Sequence, residues 1–388
     1  MSHDASLFPE LKPESPERWK EPPEPRSTGV FPSQKIEEFI ASGWIRASSP
    51  IESVQVQPAS MDLRLGPVAY RVRASFLPGK SSVEAKIRDL GMNEIGLSQG
   101  AILEKRCIYV IPLMEEWFFP GEFSGKANPK STTGRLDIFT RLITDCGTEF
   151  ERVPPGYRGK LYAEVVPRTF TVAVREGMRL NQVRFVRGSP PTLRKRTGTL
   201  GDLHREEPLA YMLDDSPAET PDNISIDLVG SGVSEVVGYK AKSHAPLIDL
   251  SKVGYYDPEE FWEPIRSSKR IILNPDDFYI LVSKEKVSIR PDLAGEMVAY
   301  DPSVGEFRIH YAGFFDPGFG YSLDEGKGTH AVLEVRSHEV PFVIEDGQLV
   351  GRLEYERLIE PSHKIYGTSI GSSYQCQGLS LSKQFRQR

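Results

Sequence analysis

The sequence contains one glutamate-bearing segment twice, and this repeat constrains the fold more than any other feature. Residues 162–185 read YAEVVPRTFTVAVREGMRLNQVRF, and residues 332–355 read VLEVRSHEVPFVIEDGQLVGRLEY. At an offset of 170 residues, Glu164 aligns with Glu334. A single match of this kind arises by chance among proteins rich in strands, so the surrounding sequence has to decide whether a whole unit is repeated.

Further matches occur in the same order upstream. Ser60 and Asp62 in ASMDLRLG align with Ser225 and Asp227 in NISIDLVG at an offset of 165, and small insertions explain the drift. Collinear matches over this length favour two copies of one unit. The predicted division is an extended or disordered segment 1–30, a first unit 31–195, a linker 196–219 and a second unit 220–388 with a C-terminal tail.

Strands are predicted to dominate both units. Short apolar or alternating runs such as CIYVIPL, KLYAEVV and TFTVAV are separated by turns, and the chain has 33 glycines and 31 prolines to build them. Such spacing is typical of a β-sandwich or barrel-like fold. The segment SQKIEEFIASGWI is the exception, since it predicts a helix with Ser33 as its N-cap and Gly43 as its stop.

Composition excludes several classes of protein. A net charge of −6 argues against a chain that coats nucleic acid. The three cysteines are far apart and form no CxxC, which predicts neither a disulfide framework nor a cysteine-based zinc site. No apolar run approaches the length of a membrane span, and the N-terminus lacks the apolar core of a signal peptide. We therefore expect a cytoplasmic protein without a membrane or nucleic-acid partner.

The stretch NPKSTTGRLD offers the first group of candidate site residues. Lys130, Ser131, Thr132 and Arg135 place hydroxyls and two cations near one turn, here named the KSTTGR turn (residues 130–135). Hydroxyls, backbone N–H groups and cations suit a phosphate or a polarised water. The alternative is a solvated polar turn without function.

The second candidate is the repeated glutamate of the first unit. Glu164 follows a tight Pro-Pro-Gly turn and stands among apolar residues of a predicted strand. Burial there would raise the pKa of its carboxyl and suit proton transfer. In an alternating strand, the same side chain would face solvent instead.

Taken together, these motifs resemble the dCTP deaminase family, relatives of the trimeric dUTPases. The first half has PASMDLRLG, PKSTTGR, VPPGYRGKLYAEV and VREGMRLNQVRF in the family's order, and the second half has SIDL, FFDPGFG, HAVLEV and SYQCQG. The resemblance implies two tandem dUTPase-like units, each a distorted β-barrel or jelly roll with a few short helices.

The resemblance also implies a chemistry. Members of the family hydrolyse dCTP to dUTP and ammonia without zinc, with Mg²⁺ bound mostly through the substrate's triphosphate. Ser131 and Arg135 would position the water and polarise the substrate, and Glu164 would activate the water for attack on cytosine C4. Lys130 stands where the family usually has arginine, so it would contact phosphate as a point charge. Thr132 would join it in binding substrate.

The second unit lacks part of this set. Asp301 and Gly305 replace Ser131 and Arg135 at the aligned positions. We therefore favour a working site in the first unit, built on Glu164, with a structural second unit.

A composite site, built from both units, stays open as the alternative. The second unit keeps Asp316 and Glu334, and the resemblance to trimers with sites between neighbours would let these residues face the KSTTGR turn. Near the C-terminus, Tyr374 and Gln377 in SYQCQG would close over a bound nucleotide.

Two other functions and the assembly also stay open. A dUTPase-type or bifunctional enzyme needs an aspartate in the hairpin; the first unit has Pro154 there and the second has Asp316. A non-catalytic nucleotide-binding protein is the remaining alternative. By resemblance, the chain should form a homo-oligomer, either a trimer or a dimer.

Overall fold

Strands form most of the regular structure, which confirms the mostly β fold predicted from the sequence. A computed structural model of the chain describes residues 26–190, 192–193, 199–230, 235–299, 307–309, 313–321, 327–337, 339–367 and 378–387. Below, the first unit means the elements from β1 to β13, and the second unit means those that follow.

The first unit contains most of the longer strands. They are β1 (Gly29–Val30), β2 (Ile45–Ala47), β3 (Met61–Arg64), β4 (Val68–Val72), β5 (Gly91–Gly96), β6 (Ala101–Leu103), β7 (Ile108–Phe118), β8 (Phe123–Pro129), β9 (Ile138–Thr144), β10 (Arg152–Val153), β11 (Arg158–Pro167), β12 (Val172–Val174) and β13 (Arg179–Arg187). Its helices are α1 (Ser33–Ala41), α2 (Val83–Leu90) and the short α3 (Ser131–Gly134), with a 3₁₀ turn at Ser53–Gln55.

The second unit repeats this plan. They are β14 (Ala210–Tyr211), β15 (Asn223–Ser225), β16 (Val236–Ala241), β17 (Ile248–Asp249), β18 (Trp262–Arg266), β19 (Arg270–Leu273), β20 (Tyr279–Val287), β21 (Leu293–Ala299), β22 (Phe307–Ile309), β23 (Phe314–Phe315), β24 (Thr329–Ser337), β25 (Phe342–Glu345) and β26 (Leu349–Arg357). Its helices are α4 (Thr199–Glu206) and α5 (Pro258–Phe261).

Helix α1 confirms the helix predicted in the first unit, but the predicted cap is wrong. Ile36 and Phe39 face the core, and Gly43 follows with a φ of 73°. Ser33 is the first helical residue, preceded by Pro32 in extended conformation. Its hydroxyl lies 3.1 Å from that of Ser362, so it contributes to a contact between the two units instead of capping the helix.

Both units are built from two larger sheets and a small ribbon. In the first unit the sheet orders are β1-β13-β8-β10, with β3 on β13, and β5-β4-β7-β11-β9, with β2 on β7. In the second unit they are β15-β26-β21-β23 and β18-β16-β20-β24-β22, with β14 on β20. The ribbons are β6–β12 and β19–β25, and β12 gains β17 of the second unit as a parallel neighbour.

The strand registers show the repeat at atomic level. Glu164 on β11 pairs with Val110 on β7, and Glu334 on β24 pairs with Ile280 on β20. Both members of the second pair lie 170 residues after those of the first. Because register decides which face a side chain takes, the two glutamates occupy equivalent positions in the two units.

What covers these equivalent strands differs between the units. Val110 belongs to a small cluster formed within the first unit, with Phe76, Val83, Ile143 and Tyr162. Ile280 belongs instead to the main core of the first unit, which crosses into the second. The second unit therefore buries this sheet face against its neighbour, while the first unit covers its own.

Aromatic side chains form the centre of the contact between the units. Phe170 of the first unit is buried, with its ring 5.4 Å from that of Trp262 and 6.0 Å from that of Phe261. Phe385, near the C-terminus, packs on the same group at 5.3 Å from Phe261. Edge-to-face rings of this kind add to the free energy of burial.

The described part of the segment predicted as a linker packs into the second unit. Leu200 and Leu203 on α4, with Leu209, are buried in the second hydrophobic core. Leu200 and Leu203 are three residues apart and give α4 one buried face. The many charged residues of the segment make this pattern hard to recognise in the sequence. His204 is held by hydrogen bonds to Ala218 and Leu209 at 2.8 and 3.0 Å, so it serves the local structure.

Within the described part of the chain, no helix has the length and apolar character of a membrane span.

Replacing Phe170 by alanine should destabilise the protein by about 3–5 kcal/mol, since a large buried ring leaves a cavity between the units. Urea denaturation measures the change in the free energy of unfolding. The control is Met92→Ala, because Met92 is 59% exposed and its replacement should change stability little. Equal stabilities for the two variants would contradict the assignment of Phe170 to the centre of the contact.

Candidate active site

The KSTTGR turn follows the end of β8. Lys130 keeps an extended backbone with ψ of 148°, and its carbonyl accepts hydrogen bonds from Thr133 and Gly134 N–H at 2.8 and 2.9 Å. The Arg135 N–H donates to Ser131 O at 3.0 Å. This single helical turn leaves the Ser131 side chain exposed while Arg135 is buried.

A cavity of about 630 Å³ lies between the two units beside this turn. Its volume is in the range of small-molecule binding sites. The first unit contributes the KSTTGR turn except Gly134, the segment 175–180, and Val54, Gln57, Asp62, Leu136, Ile138 and Gln182. The second unit contributes Leu250, Ser251, Val253, Phe314, Asp316, Phe319, Tyr366, Lys383 and Gln384. Lys130, Ser131, Thr132, Arg135 and Asp316, all predicted site residues, therefore share one cavity.

A smaller cavity of about 40 Å³ extends from the same turn to Glu334. It shares Ser131, Arg135 and Phe314 with the larger cavity. A volume of this order holds a water molecule where several polar groups converge. The structure thus brings Ser131 and Arg135 of the first unit and Glu334 of the second to the same small cavity.

The environment of Glu334 favours its neutral form. Its side chain is 5% exposed on β24, and burial raises the pKa of the carboxyl to about 8, against the opposing charge of Arg135. A carboxyl with a pKa near neutrality exchanges a proton readily at physiological pH.

Asp316 is held by two side chains of the first unit. Ser60 donates to Oδ2 at 3.1 Å, and Arg184 donates to Oδ1 at 3.2 Å. Arg184 also donates to Gly295 O and Phe315 O at 2.9 and 3.0 Å. The predicted SMDL motif thus supplies Ser60, which fixes the aspartate at the edge of the cavity.

Three positively charged side chains lie on one side of the larger cavity. Lys130 forms an ion pair with Asp62, and Arg179 lies 3.9 Å from the other oxygen of the same carboxylate. Lys383 faces this pair, and its pKa is lowered by burial and by the charges of Lys130 and Arg179. Three cations around one carboxylate leave an excess of positive charge, which suits a polyanionic ligand.

The C-terminal segment closes part of the site. Arg135 Nη1 donates to Ser380 O at 3.0 Å and also contacts the hydroxyl of that serine. The Ser382 hydroxyl donates to Thr132 O at 2.9 Å, and Gln384 donates to Leu250 O at 3.1 Å. Tyr374 and Gln377, the predicted closing residues, lie outside the described residues, as do Asp301 and Gly305.

Glu164 lies elsewhere and lines neither cavity. It is fully buried on β11, where Arg141 Nε donates to its Oε1 at 3.1 Å. Arg141 also donates to Ser75 at 2.7 Å, and its guanidinium stacks 3.5 Å from the ring of Phe150. Arg141 lies on β9 and Phe150 lies in the connection between β9 and β10, so this segment of the first unit covers Glu164.

Three cationic residues of the site did not follow from the sequence alone. Arg175 and Arg179 flank Gly177, whose φ of 80° turns the chain between them, and the charged segment VREGMR was the available signal. Lys383 carries no sequence signal, because only the fold brings the C-terminus back to the cavity.

The described residues do not provide a set of side chains that could bind a metal ion on their own. Among the described residues, no cluster of three or more His, Cys, Asp or Glu side chains is placed to hold an ion. Asp62 and Asp316, the carboxylates nearest the cations, are each already paired with basic side chains.

Comparison with known proteins identifies the family. The model of the 2'-deoxycytidine 5'-triphosphate deaminase N-terminal domain matches residues 27–189, and that of the C-terminal domain matches residues 196–385. The crystal structure of 2'-deoxycytidine 5'-triphosphate deaminase from Agrobacterium tumefaciens is similar with a TM-score of 0.81 and 48% sequence identity, covering 86% of this chain and 100% of that one.

Two curated relatives match over shorter stretches. The dCTP deaminase of Natronomonas pharaonis is 28% identical over 116 residues, which are 29% of this chain and 55% of the relative. The dUMP-forming dCTP deaminase of Halobacterium salinarum is 27% identical over 140 residues, which are 35% of this chain and 67% of the relative. Together with the two domain matches, these findings confirm the resemblance drawn from the motifs, and the chain belongs to the dCTP deaminase family.

Proposed function

We propose that the chain hydrolyses dCTP to dUTP and ammonia at a composite site between its two units. The observation that supports this most is the small cavity lined jointly by Ser131, Arg135 and Glu334. It offers room for one water between a hydroxyl, a cation and a carboxyl, next to a larger cavity for the nucleotide.

The groups fit the steps of the reaction. The Glu334 carboxylate takes a proton from the water as its oxygen bonds to cytosine C4, and that proton passes to N3. A second proton then goes from the hydroxyl at C4, through Glu334, to the amine. The C4–N bond breaks, a carbonyl forms, and ammonia leaves. Ser131 and Arg135 position the water and polarise the base, as electrostatic stabilisation of the transition state requires.

The triphosphate fits the cationic side of the larger cavity. Lys130, Arg179 and Lys383 lie there around Asp62, and each offers hydrogen-bond donors to phosphate oxygens. We expect Mg²⁺ to arrive on the triphosphate, because the nearby carboxylates are already paired with cations. Zinc is not needed in this scheme, and the sequence lacks the P-C-x-x-C motif of zinc deaminases.

Further hydrolysis of dUTP to dUMP is the second candidate activity. Several curated relatives are named dUMP-forming dCTP deaminases. Asp316 lies in the cavity and is the carboxylate that such a step needs, although Ser60 and Arg184 hold both of its oxygens. Chromatography of the nucleotide products separates dUTP from dUMP and decides between the two activities.

A homo-oligomer is also part of the proposal. Ile272 and Val343 project from the adjacent strands β19 and β25 with 60% and 48% of their side chains exposed. Neighbouring exposed apolar residues are typical of association surfaces. Light scattering of the purified protein measures the stoichiometry, and a monomeric mass would contradict this part.

Glu334→Gln should lower kcat for dCTP by on the order of 10²–10⁴, since it removes the proposed general base. Glu164→Gln is the matched control, because Glu164 occupies the equivalent position in the repeat but lines neither cavity. It should lower stability by breaking the contact with Arg141 while keeping kcat. Release of ammonia from dCTP and Mg²⁺ measures both variants.

Loss of activity in Glu164→Gln alone would return the site to the first unit and contradict the composite arrangement. Absence of any turnover by the unaltered protein would contradict the deaminase proposal itself and favour a nucleotide-binding role.

The pH dependence gives an independent test. Burial raises the pKa of Glu334 to about 8, so its carboxyl is mostly protonated at pH 6 and cannot accept a proton. The value of kcat/KM for dCTP should therefore rise with pH and level off above about pH 8. Glu151 is the control, since its pKa is also raised to about 8 by burial but it lines neither cavity.

The profile of Glu151→Gln should keep the rise. A profile of the unaltered protein that is flat between pH 6 and 9 would contradict the assignment of Glu334 as the base.

A further inference from the structure

A buried ion pair joins the two halves of the candidate site. Asp137 follows Arg135 by two residues in the first unit, and Arg336 follows Glu334 by two residues on β24. Both side chains are buried, Asp137 fully and Arg336 to 4% exposure. The pair therefore lies next to the groups that contact the small cavity, one partner in each unit.

The contacts of this pair are extensive. Arg336 Nε donates to Asp137 Oδ1 at 3.3 Å, and Nη2 donates to Oδ2. Thr169 joins both, accepting from Arg336 Nη2 at 2.7 Å and donating to Asp137 Oδ2 at 2.5 Å. Arg336 Nη1 also donates to Asp276 O. Because the planar guanidinium of Arg336 is bonded on several sides, it fixes both the orientation of Asp137 and its distance from β24.

The backbone connects this ion pair to Glu334 on one side and to the KSTTGR turn on the other. Residues i and i+2 of a strand point to the same face, so Arg336 and Glu334 both face the first unit. Asp137 has a φ of 54° and donates its N–H to Gly134 O at 2.8 Å, which ends the KSTTGR turn. Holding Asp137 therefore holds the turn that carries Ser131 and Arg135.

The Asp137–Arg336 ion pair has no counterpart at the equivalent positions of the repeat. At an offset of 170, Arg336 corresponds to Val166, and Asp137 corresponds to Phe307. Neither an ion pair nor a hydrogen bond between those side chains is chemically possible. The chain thus departs from its own repeat where the two halves of the composite site meet.

We propose that Asp137 and Arg336 are positioning residues, which set the distance between Glu334 and the KSTTGR turn and so place the attacking water. The inference rests on the proposed function. A role in stability alone explains the pair less well, because a buried ion pair generally adds little to stability relative to apolar residues. Its better-attested role is to specify one arrangement among similar ones, here the alignment of the two units.

The test removes both charges together, because a buried charge left without its partner destabilises a protein. The double variant Asp137→Gly/Arg336→Val places glycine at the positive φ and gives position 336 the residue found at its counterpart, Val166. Asp346→Asn is the control, since it weakens the ion pair of Asp346 with Lys284 inside the second unit, away from both cavities. The readouts are the melting temperature, the affinity for dUTP by calorimetry, and kcat for dCTP.

The proposal expects the double variant to fold and to keep its affinity for dUTP, while kcat falls by on the order of 10²-fold from misplaced reacting groups. The control should lose stability without loss of kcat. A double variant that keeps kcat, whatever its melting temperature, overturns the proposal.

A single Asp137→Asn variant gives a second measurement if the double variant fails to fold. Asparagine tolerates a positive φ and keeps one acceptor, so kcat should fall less than tenfold while KM stays unchanged. An unchanged kcat in this folded variant also overturns the proposal. Failure of the proposed function would look different, because the unaltered protein would then release no ammonia from dCTP.

Discussion

The contact between the two units is the constraint on which the rest of the structure depends. Phe170 packs on Trp262 and Phe261 across this contact, and the sheet face that bears Ile280 is buried against the first unit. The apolar area removed from water supplies the free energy, while polar pairs such as Arg184 with Asp316 fix the alignment. Both cavities lie where the two units meet beside the KSTTGR turn.

The duplicated unit places its two equivalent glutamates in different surroundings. In the first unit, the segment from β9 to β10 covers Glu164, and Arg141 forms an ion pair with it. In the second unit, the equivalent Glu334 meets Ser131 and Arg135 of the first. Equivalent positions in the repeat thus differ through what covers them, since burial raises the pKa of Glu334 to about 8 although the charge of Arg135 opposes the shift.

Much of the fold could be predicted from the sequence. The repeat shows which segments of the two units are equivalent, and the alternating apolar runs predict where strands form. The registers of Glu164 and Glu334 match at the predicted offset, and the KSTTGR turn lines the larger cavity. The different surroundings of the two glutamates could not be predicted, since their local sequences are alike. Lys383 and the Asp137–Arg336 pair depend on contacts between distant segments, for which one sequence gives no signal.

The most direct measurement of the central claim is a crystal structure of Glu334→Gln with dCTP and Mg²⁺ bound, in which slow turnover preserves the substrate. The account predicts the cytosine C4 beside residue 334 and Ser131, with the triphosphate against Lys130, Arg179 and Lys383. A cytosine bound beside Glu164, with the space between the units free of nucleotide, would contradict the composite site.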